Sequence, residues 1–145
     1  MNISEQPLQQ INTFFENYAA VLEQFDSKGM VSLYNIPCTL TSDETTTVFN
    51  DSAKLEGFFN TGAGFYKQLG IAKMRPDVWY KREWTGKIIN VKVNWQFFSE
   101  NNKPIYNCDY HYVIRLDKNS QWKIILSVSA NERERMEEWR KKSRK

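Results

Sequence analysis

At Ile71 the hydrophobic rhythm of this chain changes from helical to alternating, and that change constrains the fold more than any other feature. Four segments, Lys73 to Glu83, Ile88 to Phe98, Ile105 to Leu116 and Trp122 to Ala130, interleave β-branched and aromatic residues with polar ones. This is the period-2 pattern of strands with one buried face. The stretches between them, Trp84 to Lys87, Glu100 to Pro104 and Asp117 to Ser120, are rich in turn formers. Connections that short join antiparallel neighbours. Alternation then assigns faces. Val91, Val93, Trp95 and Phe97 share one face, as do Cys108, Tyr110, Tyr112, Ile114 and Leu116, and again Trp122, Ile124, Leu126 and Val128. Lys92, Asn94, Gln96, Asp109, His111 and Arg115 fall on the opposite side. A sheet with so large an apolar face must cover something.

The residues before Ile71 supply the cover. Ser4 as a cap and Pro7 in a first turn open a helix. Its apolar stripe runs through Leu8, Ile11, Phe14, Phe15, Tyr18, Ala19, Leu22 and Phe25. Asp26-Ser27-Lys28-Gly29 breaks it. A short second helix carries Met30, Val31, Leu33 and Tyr34 and ends before Pro37. Pro37 to Leu40 and Thr45 to Phe49 read as a hairpin around Ser42-Asp43-Glu44. Asn50-Asp51-Ser52 caps a helix through Leu55, Phe58 and Phe59, with a kink expected at Gly62-Ala63-Gly64 and Gly70 as the terminal cap. Helices first and a meander afterwards define an α+β fold, a curved antiparallel sheet wrapped around N-terminal helices. Residues 1–130 form the single domain, and residues 131–145 a basic, solvated helical tail.

A chain of 145 residues suits one domain. Its aromatic content of 14% would overfill a small core or line a cavity. The whole net charge of +3 resides in residues 131–145. A neutral body with a basic tail lacks the charged stripe of a nucleic-acid-binding domain. One histidine and two distant cysteines do not make a Cys/His zinc site. The first residues lack the basic region and apolar run of a signal peptide, and no apolar stretch reaches membrane-spanning length. The expectation is a soluble cytoplasmic protein with reduced Cys38 and Cys108, no membrane association and no cofactor.

The segment Phe25-Asp26-Ser27-Lys28-Gly29-Met30-Val31-Ser32-Leu33-Tyr34, set between a long amphipathic helix and a short hairpin, resembles the nuclear-transport-factor-2-like fold. Tyr110-His111-Tyr112-Val113-Ile114-Arg115-Leu116-Asp117, followed by Trp122-Lys123-Ile124, is similar to that family's last hairpin. Members include ketosteroid isomerases, SnoaL-like polyketide cyclases and many uncharacterised bacterial proteins. The resemblance implies a cone whose cavity lies between the sheet and the helices. Steroid isomerisation there needs a carboxylate base, a tyrosine donor and a protonated acid. Matching the first helix and Leu33-Tyr34 puts Tyr18 at the tyrosine position and Ser42 at that of the base. Matching Arg115-Leu116-Asp117 puts Tyr112 where the acid would stand. Both carboxylates are missing, which argues against that chemistry.

Three functions follow as expectations. The first is a homodimer that binds a small apolar ligand with one or two polar groups, held by Tyr18, Tyr34, Trp95, Tyr110 and Tyr112. The second is a cofactor-independent isomerase, lyase or cyclase in the same pocket, with Asp43 as base. That role requires a buried carboxylate with a raised pKa. The third is a non-catalytic module that forms a homodimer through the outer sheet face, where His111 lies; it requires a filled core. Cys108 and His111 stand on opposite faces of one strand and do not form a nucleophilic pair.

Overall fold

The computed structural model describes residues 5–143, with side chains from residue 9 onward. Ten elements follow in order: α1 (Glu5–Glu23), α2 (Ser27–Ser32), β1 (Tyr34–Ser42), β2 (Thr46–Phe49), α3 (Ser52–Leu69), β3 (Lys73–Thr85), β4 (Ile88–Phe98), β5 (Pro104–Leu116), β6 (Trp122–Ser129) and α4 (Glu132–Ser143). The six strands form one curved, unclosed sheet in the order β2-β1-β6-β5-β4-β3. All neighbours are antiparallel except β1 and β6, which run parallel. The fold is α+β, with the helices before the meander lying across the concave face.

The stripe of α1 is buried at Ile11, Phe14, Phe15, Tyr18 and Ala19. Phe15 packs on Tyr112 with ring centroids 5.0 Å apart, and Tyr18 on Trp95 at 5.1 Å, so the helix lies against the centre of the sheet. The Ser4 cap and the Leu8 side chain fall outside the described residues. The break after α1 is narrower than the sequence suggests. Asp26 caps α2, its Oδ1 accepting from the Gly29 amide at 3.0 Å, and Ser27, Lys28 and Gly29 already belong to that helix. A Cβ on Gly29 would stand 2.9 Å from Val21 Cγ1, so only glycine lets the two helices approach so closely. Leu33 closes α2, and Tyr34 opens β1 instead of ending the helix, because its side chain is needed in the core.

No break divides α3 at Gly62 or Gly64. Asp51 accepts from the Ala53 amide at 2.7 Å at one end, and Gly70 adopts φ 81° at the other. Caps at both ends and the packing of Phe59 and Tyr66 outweigh a glycine cost of about 1 kcal/mol each.

Inward alternation holds along β4 and most of β5, where Val91, Val93, Trp95, Phe97, Cys108 and Tyr112 are buried. It fails on β6. Val113 pairs with Leu126 while Ile114 pairs with Ile124, so Ile125 is an extra residue in a β-bulge. Beyond it the faces exchange. Ser127 and Ser129 point inward, and Leu126 and Val128, expected inside, join the outer side.

In the C-terminal segment, residues 132–143 form α4, which is docked on the sheet by one side while most of its side chains stay exposed. Asn131 Oδ1 accepts from the Asp109 amide at 2.8 Å, and its Nδ2 donates to Asp109 Oδ2 at 3.0 Å. The Asn131 carbonyl starts the α4 ladder by accepting from Arg135. Met136 is buried, and Trp139 packs on Tyr106 with centroids 6.4 Å apart. Two apolar residues suffice because the strand end aims the helix back across β5. No helix among the described residues is long and apolar enough to cross a membrane.

Candidate functional site

Between the concave sheet and the helices lies a cavity of about 590 Å³. Its floor is the inner face of β4, β5 and β6; α1, α2 and α3 supply the far wall, the β1–β2 hairpin part of the rim and the first turn of α4 one side. Tyr18, Tyr34, Trp95, Tyr110 and Tyr112, the five residues expected to hold a ligand, all line this one space. Their convergence follows from two periods. Tyr18 falls on the buried stripe of α1, and Trp95, Tyr110 and Tyr112 on the inward register of neighbouring strands.

The hydroxyls form two groups. In the first, Trp95 Nε1 donates to Tyr112 Oη at 2.8 Å, and Tyr18 and Tyr34 share a hydrogen bond at 2.7 Å in which either can donate. Burial pushes the Tyr18 phenol up to about 12, although bonding to Tyr34 and Tyr112 offsets part of that rise. Burial likewise holds Tyr34 and Tyr112 well above the ordinary tyrosine value. These are protonated donors at neutral pH, set in an apolar wall.

Glu132, the first residue of α4, centres the second group. Tyr66 donates to its Oε2 at 2.6 Å, Tyr106 to the same oxygen at 2.7 Å, and Tyr110 to Oε1. Burial, then the Glu132 charge, raises Tyr66 and Tyr110 well above their ordinary range, and the same two causes lead for Tyr106. A carboxylate only accepts, so all three phenols must donate. Tyr110 stacks on Tyr112 at 5.7 Å and 15°, bringing the two groups side by side.

Sequence reasoning missed Glu132, Tyr66, Tyr106 and Ser127. Tyr106 was accessible, because it continues the inward register of Cys108, Tyr110 and Tyr112. Glu132 was not, because nothing in Glu132-Arg133-Glu134 distinguishes the first acid from the third. Asp43 is exposed in the hairpin turn at the cavity rim. The burial a base would need there is absent. His111 lies on the outer face, where its Nδ1 stands 3.2 Å from Tyr80 Oη. Among the described residues, no three His, Cys, Asp or Glu side chains form a group that could hold a metal.

A curled six-stranded sheet closed by helices over an aromatic cavity defines a cone-shaped α+β protein. The sequence profile described as NTF2-like protein (DUF6841) matches residues 5–132, and the chain belongs to that family. No protein in the curated comparison matches it in sequence. Among solved structures it is similar to an NTF-2 like protein of unknown function from Shewanella oneidensis MR-1, at TM-score 0.68 and 11% identity over 86% of this chain and 98% of that one. An NTF2-like superfamily protein from Salmonella enterica gives TM-score 0.65 and 13% identity over 86% and 90% of the two chains. A ketosteroid isomerase-like protein from Erwinia carotovora atroseptica SCRI1043 gives 0.60 and 10%, over 81% and 90%. At such identities the likeness is one of fold.

Proposed function

We propose that this protein binds a small, largely apolar molecule carrying one or two polar groups inside the cone. The observation that carries the reading is the cavity of about 590 Å³, within the usual size of small-molecule sites, with phenol and indole groups in its wall. The apolar body of the ligand would lie against Phe59, Trp95 and Phe97, and its polar group would exchange hydrogen bonds with the Tyr18–Tyr34 or Tyr110–Tyr112 hydroxyls. A thermal-shift screen of such compounds tests this. Hits should raise the melting temperature of the native chain and lose that effect in Ala63→Trp, which places an indole in the cavity. Tyr112→Phe should weaken a hit several-fold, and unchanged affinity would remove Tyr112 from the site.

The isomerase, lyase or cyclase reading rested on a buried Asp43, and its exposure withdraws that support. Pairing of two copies through the outer sheet face is a separate proposal, supported by Trp79, which is 55% exposed over Lys92 on that side. Light scattering that returns a monomer mass at micromolar concentration would end it.

A further inference from the structure

Glu132 tells more about the occupant than the apolar walls do. It is a half-buried carboxylate with no ion pair among the described residues. The arginines of its own helix have other partners: Arg133 lies 4.0 Å from Glu44 and 3.3 Å from Glu137, Arg135 3.8 Å from Asp109, and the Arg140 guanidinium sits 5.5 Å over the Phe65 ring, where its charge reaches Tyr106. Three neutral phenols are its hydrogen-bond partners. Two carboxylate oxygens offer about four acceptor sites, and among the described residues Oε1 takes only the Tyr110 hydroxyl, which leaves room for one more donor. The phenols are bound at their oxygens, which turns the hydroxyl ends of three rings toward the same point.

The charge of the lining agrees. Asp43, Glu44 and Glu134 border the cavity with Glu132, against the single guanidinium of Arg133. A protein of net charge +3 thus surrounds this opening with an excess of negative charge. Such a field draws in cations and rejects anions. An ammonium inside would meet a carboxylate whose partners among the described residues are neutral, in a cavity with aromatic walls.

Building on the pocket reading above, we propose that the natural ligand is an amine: a protonated primary or secondary ammonium on an apolar skeleton. The nitrogen donates to Glu132 Oε1 among the rings of Tyr66, Tyr106 and Tyr110, and the skeleton extends toward Trp95 and Phe59. A neutral alcohol of the same shape makes the hydrogen bond without the charge. A carboxylate of the same shape is repelled.

The test uses three matched series, each comprising an amine, an alcohol and a carboxylate, on phenylethyl, naphthylmethyl and adamantyl skeletons, titrated calorimetrically into the full chain at pH 7. In at least one series the amine should bind about tenfold or more tighter than the alcohol, as charge-assisted hydrogen bonds exceed neutral ones. The carboxylate should not bind. Glu132→Gln should bring amine and alcohol to equal affinity while the alcohol still binds. Glu138→Gln, which neutralises an exposed carboxylate of the same helix away from the cavity, should preserve the preference and controls for folding defects. Equal affinity of amine and alcohol in the native chain, or a preference that survives Glu132→Gln, overturns the amine assignment and leaves the pocket standing. If no member of any series binds the folded protein, both readings fall.

Discussion

The Trp95 indole N–H has its acceptor in Tyr112 Oη, and both side chains are at most 2% exposed. Tyr112→Phe removes that acceptor and leaves a buried donor unpaired, at a cost of about 1–3 kcal/mol. Urea denaturation should show this loss apart from any change in binding. On the outer face, His111 is held below its ordinary value of 6.5, first by burial and then by the Lys92 charge, with Asp109 opposing. Its folded pKa lies below the unfolded one, so protonation favours unfolding. The stability it contributes is complete above the unfolded pKa and is lost as pH falls through the folded one. The melting temperature of the native chain should therefore fall more between pH 7 and pH 5 than that of His111→Gln. Parallel curves would show that His111 takes no part.

Among the elements, α3 depends on its ends because three glycines weaken its interior. Asp51→Ala removes an N-cap, and Gly70→Ala places a Cβ at φ 81°; each should cost about 1 kcal/mol in chemical denaturation. Both caps were legible from residue type and position, as were the four long strands from their alternation. The helix stripe and the inward faces of β4 and β5 followed from the same periodicities, which is why the five aromatic residues named from the sequence line one cavity. Alternation carries no mark of an inserted residue, and so it failed at Ile125. A single bulge exchanged Leu126 and Val128 for Ser127 and Ser129, making β6 a polar edge of the cavity. Glu132 stayed hidden for a related reason. Its role comes from the direction in which β6 releases the chain and Asn131 fastens it to Asp109, a tertiary fact that local composition does not encode.

For the molecule as a whole, the buried phenols set an alkaline limit. Tyr18, Tyr34, Tyr66, Tyr106, Tyr110 and Tyr112 all have folded pKa values raised above 10.0, chiefly by burial. A raised folded pKa gives stability that is full below the unfolded value and lost as pH rises through the folded one. Phenolate absorbance from these residues should thus appear above pH 10 together with loss of near-ultraviolet circular dichroism. Their ionisation near pH 10 with the tertiary signal intact would contradict the packing described. The parallel pairing of β1 with β6 has a further effect, on the order in which the protein can be made. As the chain leaves the ribosome, the hairpin of β1 and β2 emerges early with one long edge unpaired. The strand that completes it is synthesised only after α3 and β3 to β5. Until Trp122 to Ser129 emerge, the hollow has no joined walls, so the nascent chain presents an open flank that only β6 can shut.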